Sequence, residues 1–138
     1  MALDVGKRRT GVALSDPTRL LARSLKVIRQ KGKKIPAGEI ADLVEEHRVG
    51  EIVFGYPFHM GGGTGEQAAY VDRYADAVAD ELVARNLDIE ITFWDERLST
   101  ITAQQIVHDT GRRHRKQELD AIAAAVILQE YLDQQRSP

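Results

Sequence analysis

The chain has 138 residues, 43% hydrophobic and 29% charged, with a net charge of −2 and no cysteine. That length and balance suit one soluble domain with a real core, and the lack of cysteine excludes disulfides, thiol nucleophiles and thiolate-bound zinc. No apolar run approaches the ~20 residues that span a bilayer and no leader is evident, so a single cytoplasmic domain over residues 1–138 with no membrane partner is expected.

Residues 2–5 (Ala-Leu-Asp-Val) predict a short strand stopped by Gly6. Residues 10–15 predict a second, ended by Asp16-Pro17, and the Gly6–Arg9 spacing between the two is that of a hairpin. Residues 24–29 predict a third strand and 30–34 a loop. Pro36 suits the first turn of a helix running to about residue 48, with Ile40, Leu43, Val44 and His47 on one face. Glu51–Gly55 is a short apolar run that fits a buried strand.

A glycine-rich loop follows at 59–65, and Thr64 with Gln67 forms a candidate capping box. Ala68, Val71, Ala75, Val78 and Leu82 then carry a helix to about residue 85. Asp88–Trp94 alternates strictly, with Ile89, Ile91 and Phe93 on one face, which predicts a half-exposed edge strand. Ser99 or Thr100 can cap a helix ending at Gly111. A basic loop spans 111–117, and the last helix spans 118–132.

Three strands at hairpin spacing make an antiparallel meander, and the αβ units add parallel strands by crossovers. The expected fold is α/β, a five-stranded mixed sheet with helices on both faces. This is the RNase H-like order.

The near-neutral total conceals segregated charge. Residues 7–34 hold ten of the nineteen Lys and Arg residues against one acid, Asp16, and Arg112, Arg113, Arg115 and Lys116 supply four more. Blocks of this kind are either solvated loops or a face for polyanions.

Three acidic positions stand out. Asp4 lies in a strand between Leu3 and Val5, where an unpaired carboxylate is costly, although an Asp at a strand end can also cap a turn. Asp120 is the one polar residue in the run 119–128 and shares a helical face with Ala123, Ala124, Ile127 and Tyr131. Small alanines there would let the helix approach the sheet closely; the competing reading is a first-turn acid favoured by the helix dipole. Asp95 and Glu96 follow the fifth strand, where α/β sheets bind ligands, and spacing does not choose between them. Three carboxylates from three elements suggest a site for a hard cation, Mg²⁺ or Mn²⁺. His47, His59, His108 and His114 are scattered and show no zinc spacing. The chemistry this pattern suits is phosphodiester hydrolysis assisted by metal ions, with the basic blocks holding the strand by its phosphates.

Leu3-Asp4-Val5-Gly6-Lys7-Arg8-Arg9-Thr10-Gly11-Val12-Ala13 resembles the "LDxGxKRxGvA" opening of the YqgF-type family. Gly55-Tyr56-Pro57 with Met60-Gly61-Gly62 resembles its "GxP…MdG" loop. Asp95 to Thr100 resembles its "DExxST" signature, and Asp120–Ala125 with Ile127–Leu132 its closing helix. The family is described as Holliday-junction resolvases and as nucleases that process the 5′ end of pre-16S ribosomal RNA. The resemblance implies a metal-dependent nuclease with Asp4, Glu96 and Asp120 as catalytic and metal-binding acids. It implies nucleic-acid contacts for Lys7, Arg8, Arg112, Arg113, Arg115 and Lys116, with precursor ribosomal RNA as the favoured partner, branched DNA as the alternative, and a ribosomal or processing factor beside it. His59 and Gly61 stand where Asn and Asp are common, and the first strand begins closer to residue 1 than in most of the family.

Two other classes remain in view: a non-catalytic RNA-binding module, and a phosphate-binding half of the actin and sugar-kinase type suggested by Asp4-x-Gly6 with Thr10-Gly11. The latter closes two domains around a nucleotide, and 138 residues are expected to supply one.

Overall fold

A computed structural model describes residues 1–58, 65–95 and 116–136. The elements are β1 (Ala2–Val5), β2 (Arg9–Ser15), β3 (Ala22–Arg29), α1 (Ala37–Glu46), β4 (Glu51–Tyr56), α2 (Glu66–Ala84), β5 (Glu90–Asp95) and α3 (Lys116–Arg136). They build a five-stranded sheet in the order β3-β2-β1-β4-β5. β1, β2 and β3 pair antiparallel, whereas β4 pairs parallel with β1 and with β5. The expected mixed sheet is therefore present, with β5 on an edge. Among these residues no helix is long and apolar enough to cross a membrane.

Local chemistry sets the boundaries. The β1–β2 hairpin closes through the Gly6 N–H, which donates to the Arg9 carbonyl at 2.8 Å. β2 ends at Asp16, whose carboxylate accepts from the Leu20 and Leu21 N–H groups at 2.8 and 2.9 Å and also bonds Thr18. Those bonds, led by that from Leu21, hold its pKa down at about 2. Pro36 sits one residue before α1, as its N-cap. α1 ends in a left-handed residue, Arg48 (φ 53°), which lets the Val49 N–H reach back to the Val44 carbonyl at 2.9 Å.

Alternation sorts the strands into two unequal faces. Leu3, Val5, Val12, Leu14, Ile28, Ile52 and Phe54 face α1 and α2 and pack with Ile40, Val44, Val71, Tyr74, Val78 and Leu82. Ala2, Ala13 and Val53 face α3 and pack with Ala124, Ile127, Leu128 and Leu132. Helices thus cover both faces. On the first face Arg85 ties α2 to α1, reaching Asp42 and Glu45 at 2.8 and 2.7 Å and Glu81 at 3.1 Å.

Two expectations are corrected. The capping box does not form, because Gly65 is the N-cap of α2; Thr64 lies outside the described residues, and the Gln67 amide donates to the Val5 carbonyl at 2.9 Å. β5 is the half-exposed edge strand expected, and its Trp94 packs edge-on against Tyr131 at 5.5 Å. Beside it Thr92 and Tyr131 both donate to Glu51, at 2.7 and 2.5 Å. The other correction is that the last helix starts at Lys116, two residues early, so Lys116 belongs to α3 and not to the loop. The helix expected to end at Gly111 lies outside the described residues.

Thr10 is the one buried polar residue among those described outside the apolar and aromatic core, and its hydroxyl bonds the Tyr74 phenol at 2.9 Å. Burial pushes that phenol's pKa well up. Tyr74→Phe leaves the Thr10 hydroxyl without this partner in an apolar layer and is expected to cost about 1–3 kcal/mol. Urea denaturation of Thr10→Val, Tyr74→Phe and the double variant checks this, with the double costing less than the sum of the singles.

Candidate functional site

The site begins at Gly11, in the middle of the sheet. A Cβ at this position would stand 2.0 Å from the Asp120 carbonyl oxygen and 2.9 Å from the Ala121 nitrogen. The backbone of α3 therefore rests directly on β2, and nothing larger than glycine fits beneath it. Two further contacts fix how the helix runs. The Ser24 hydroxyl donates to the Ala121 carbonyl at 3.1 Å. Farther along, the Gln129 side chain accepts from the Ala22 N–H and donates to the Leu20 carbonyl, both at 2.9 Å. The helix thus lies along β2 with Asp120 over Gly11.

Gly11 is the register partner of Asp4 on β1. Cross-strand partners lie about 4.5–5.5 Å apart, so the Asp120 backbone sits within about one residue's width of Asp4. Leu3 and Val5 point to the α1–α2 core and Ala2 to α3, so alternation puts Asp4 on the α3 face. Gly55 follows Phe54, the register partner of Leu3, which gives Asp4 a glycine on the neighbouring strand to each side. Asp4 and Asp120 are both partly exposed. Asp120 is the fifth residue of α3, beyond the first turn where the helix dipole is felt, so the dipole does not account for it. Its Oδ2 instead meets the Arg9 Nε at 2.9 Å.

Of the acids Asp95 and Glu96, Asp95 is described, and it is the last residue of β5 rather than a residue beyond it. Trp94 packs on the α3 side, so Asp95, the next residue, alternates to the opposite face from Asp4 and Asp120. Lys7 and Arg8 occupy the exposed β1–β2 turn at the same end of the sheet as Asp4. Glu96, Arg112, Arg113, Arg115, His59, Gly61, His108 and His114 lie outside the described residues, as does the Lys116 side chain. His47 is the C-cap of α1, 3.6 Å from Glu46.

Asp4 and Asp120 are hard oxygen donors at the open end of the sheet, the kind of ligand Mg²⁺ and Mn²⁺ take together with water and a substrate phosphate. No group of three His, Cys, Asp or Glu able to hold a metal occurs among the described residues. Sequence reasoning missed Arg9. Its signal was available, since Arg9 and Gly11 occupy alternate positions of one strand and must share the face on which Asp120 lands.

One cleft, of about 600 Å³, lies at the other end of the sheet among Ser15, Asp16, Arg23, Gly50 and Glu51 and contains neither Asp4 nor Asp120. A smaller one, about 410 Å³, is lined by Arg8, Arg9, Arg29, Gln30 and Gly32, beside Asp120. Size is a poor guide here, because the carboxylates are what carry chemistry.

Comparison with known proteins shows the family and the fold. A family model described as RuvX, Holliday junction resolvase, matches residues 1–134. A protein of Roseiflexus sp. (strain RS-1) bearing the name "Putative pre-16S rRNA nuclease" is 41% identical over 138 residues, covering 99% of this chain and 94% of its own. One of the same name from Clostridioides difficile (strain 630) is 41% identical over 135 residues, covering 96% and 92%. Among solved structures, Thermus thermophilus RuvC in complex with a Holliday junction substrate superposes with a TM-score of 0.59 at 14% identity, covering 96% of this chain and 92% of that one. The fowlpox virus resolvase with Holliday junction DNA gives 0.56 at 9% identity, covering 98% and 97%. At such identities these two show a shared fold.

The close seating of α3 on Gly11 yields a direct test. Gly11→Ala places a methyl group against backbone that cannot rotate away, so α3 must lift from β2. A drop in stability of about 3 kcal/mol or more is expected, at the upper end of overpacking costs. Chemical denaturation followed by circular dichroism measures it, and a drop below about 1 kcal/mol, the lower end of those costs, would mean that α3 can lift from β2 with little penalty.

Proposed function

This chain belongs to the RuvX Holliday junction resolvase family, and from that premise we propose that it is a metal-dependent endonuclease, one domain over residues 1–138, that hydrolyses phosphodiester bonds in the 5′-end maturation of pre-16S ribosomal RNA. The observation that carries the reading is the seating of α3 on Gly11, which brings Asp120 onto the face and end of the sheet that hold Asp4. The names of relatives about 40% identical across nearly the whole chain support the substrate class.

In this reading Asp4, Glu96 and Asp120 are the catalytic and metal-binding acids. Glu96 is one peptide bond, about 3.8 Å between Cα atoms, beyond Asp95, which faces away from the other two. Two rigid elements, a central strand and a packed helix, hold Asp4 and Asp120, so little reorganisation is needed when substrate arrives. When bound, Mg²⁺ or Mn²⁺ supplies the Lewis acidity for an in-line displacement at phosphorus. Lys7 and Arg8 on the β1–β2 turn, with Arg112, Arg113, Arg115 and Lys116 near the start of α3, hold the nucleic acid by its phosphates.

A junction resolvase cuts two strands symmetrically and needs a two-fold dimer, whereas trimming a precursor RNA needs one active site. The two readings separate in one assay: cleavage of an end-labelled precursor rRNA leader and of a four-way DNA junction, each in Mg²⁺, Mn²⁺ and EDTA. We expect metal-dependent cutting of the RNA. Asp4→Asn, Glu96→Gln and Asp120→Asn should each slow it by about 100-fold or more, the scale of removing one preorganised electrostatic interaction, with RNA binding in EDTA retained. Wild-type activity in any of the three removes that residue from the site. Binding of both substrates without cutting would favour an RNA-binding module.

Changing Arg112, Arg113, Arg115 and Lys116 together to Gln tests the basic segment. The plot of log affinity against log salt should become shallower by about 0.7 for each single-strand phosphate that the variant no longer neutralises. An unaltered slope would mean that other residues hold those phosphates.

A further inference from the structure

The smaller cleft holds an arrangement that sheet packing alone does not favour. Arg9 and Arg29 are register partners across β2 and β3. Thr10 and Ile28, the next pair, are buried toward α1 and α2, so both arginines point to the α3 face. Cross-strand partners have Cβ atoms about 4.5–5.5 Å apart, and like charges so placed are destabilising. Asp120 meets Arg9; Arg29 is exposed and has no ion-pair partner among the described residues. Arg8 adds a third guanidinium, and the described lining contains no carboxylate.

The walls are fixed. The Gln30 N–H donates to the Arg8 carbonyl at 2.9 Å. The Gln30 side-chain amide and the Tyr70 phenol hydrogen-bond at 2.7 Å, and the amide nitrogen also donates to the Lys34 carbonyl at 3.3 Å. Two neighbouring guanidinium groups, one of them held by Asp120, suit one ligand chemistry above others, since their planar forks match the oxygens of a phosphate. A guanidinium carries five N–H donors, and the Nε bond to Asp120 accounts for one of those on Arg9.

We propose that Arg9 and Arg29 together bind one backbone phosphate of the substrate strand, and that Arg9, held by Asp120, places this phosphate next to the acidic site. The proposal rests on the nuclease reading of that site and adds two residues to it. It also gives the Arg9–Arg29 juxtaposition a physical reason, because an anion between them converts a repulsive pair into a clamp.

The test measures binding and needs no cleavage. Fluorescence anisotropy of an end-labelled single-stranded precursor rRNA leader is recorded in EDTA across a salt series. Arg29→Gln is expected to weaken binding and to make the salt slope shallower by about 0.7, one single-strand phosphate. Arg29→Lys, which keeps the charge, should retain the slope with weaker binding, because a point charge replaces the fork. Arg136→Gln, an equal change of charge at the far end of α3, should alter neither. Because the two arginines share one phosphate, Arg9→Gln with Arg29→Gln should make the slope shallower by about 0.7 in total.

An unchanged slope in Arg29→Gln overturns the proposal. So does a change of about 1.4 in the double variant, which would mean two separate phosphates. If Arg9→Gln does not fold, the Arg29→Gln and Arg29→Lys pair still decides. A wild type that binds in EDTA yet never cuts with metal overturns the nuclease reading and leaves the slope result standing. Failure of the wild type to bind RNA overturns both.

Discussion

The architecture turns on one contact, the backbone of α3 lying against Gly11 with no room for a side chain between them. A helix brought this close must present small residues to the sheet, and the sheet must answer in kind. Ala121, Ala123 and Ala124 on the helix and Ala2 and Ala13 on the strands are all buried at or near this interface. Larger side chains enter only farther along, where Ile127, Leu128 and Leu132 meet Val53. The small-residue interface sets the height of Asp120 above the sheet, and the register of β1 against β2 sets its distance from Asp4. Neither carboxylate depends on a loop for its position.

The two faces of the sheet divide the work. The α1–α2 face carries the bulk of the apolar volume, with Phe54 and Tyr74 in edge contact at 6.1 Å and the buried hydroxyls of Thr10 and Tyr74 satisfying each other. It can supply most of the burial that stabilises the fold. The α3 face is thinner and built of alanine and glycine, so charged groups at its open end keep access to solvent. A carboxylate placed on the first face would be cut off from water at high cost. On the second face Asp4 and Asp120 are partly exposed, and they can keep their charge and meet an incoming cation or phosphate.

Much of this was legible in the sequence, for reasons that are local. The 3.6-residue spacing of Val71, Ala75, Val78 and Leu82 reports burial directly. The alanines around Asp120 announced a close helix–sheet approach, and the approach is there. What failed was whatever depends on a partner distant in the chain. Gln67 looked like half of a capping box, yet its amide is used 62 residues away on β1. β5 read as a half-exposed edge strand, but the convergence of Thr92 and Tyr131 on Glu51 comes through a helix that the local pattern does not reveal. Arg9 looked like one of ten basic residues in a block; only register and the landing point of α3 single it out.

Arg9 also shows why a block of positive charge at the end of a sheet need not act as a diffuse patch. Exposed charges more than a Debye length apart are screened from one another, about 8–10 Å at ordinary ionic strength. A uniform patch would therefore attract any polyanion without fixing its position. Here the β1–β2 turn is closed by backbone bonds and braced by Gln30, and Arg9 is braced by Asp120. The Arg9 guanidinium is thus held at a set distance from Asp120. Attraction and positioning become properties of the same residues: the charge draws the strand in, and the packing of α3 on Gly11 sets where along the sheet that charge can be satisfied.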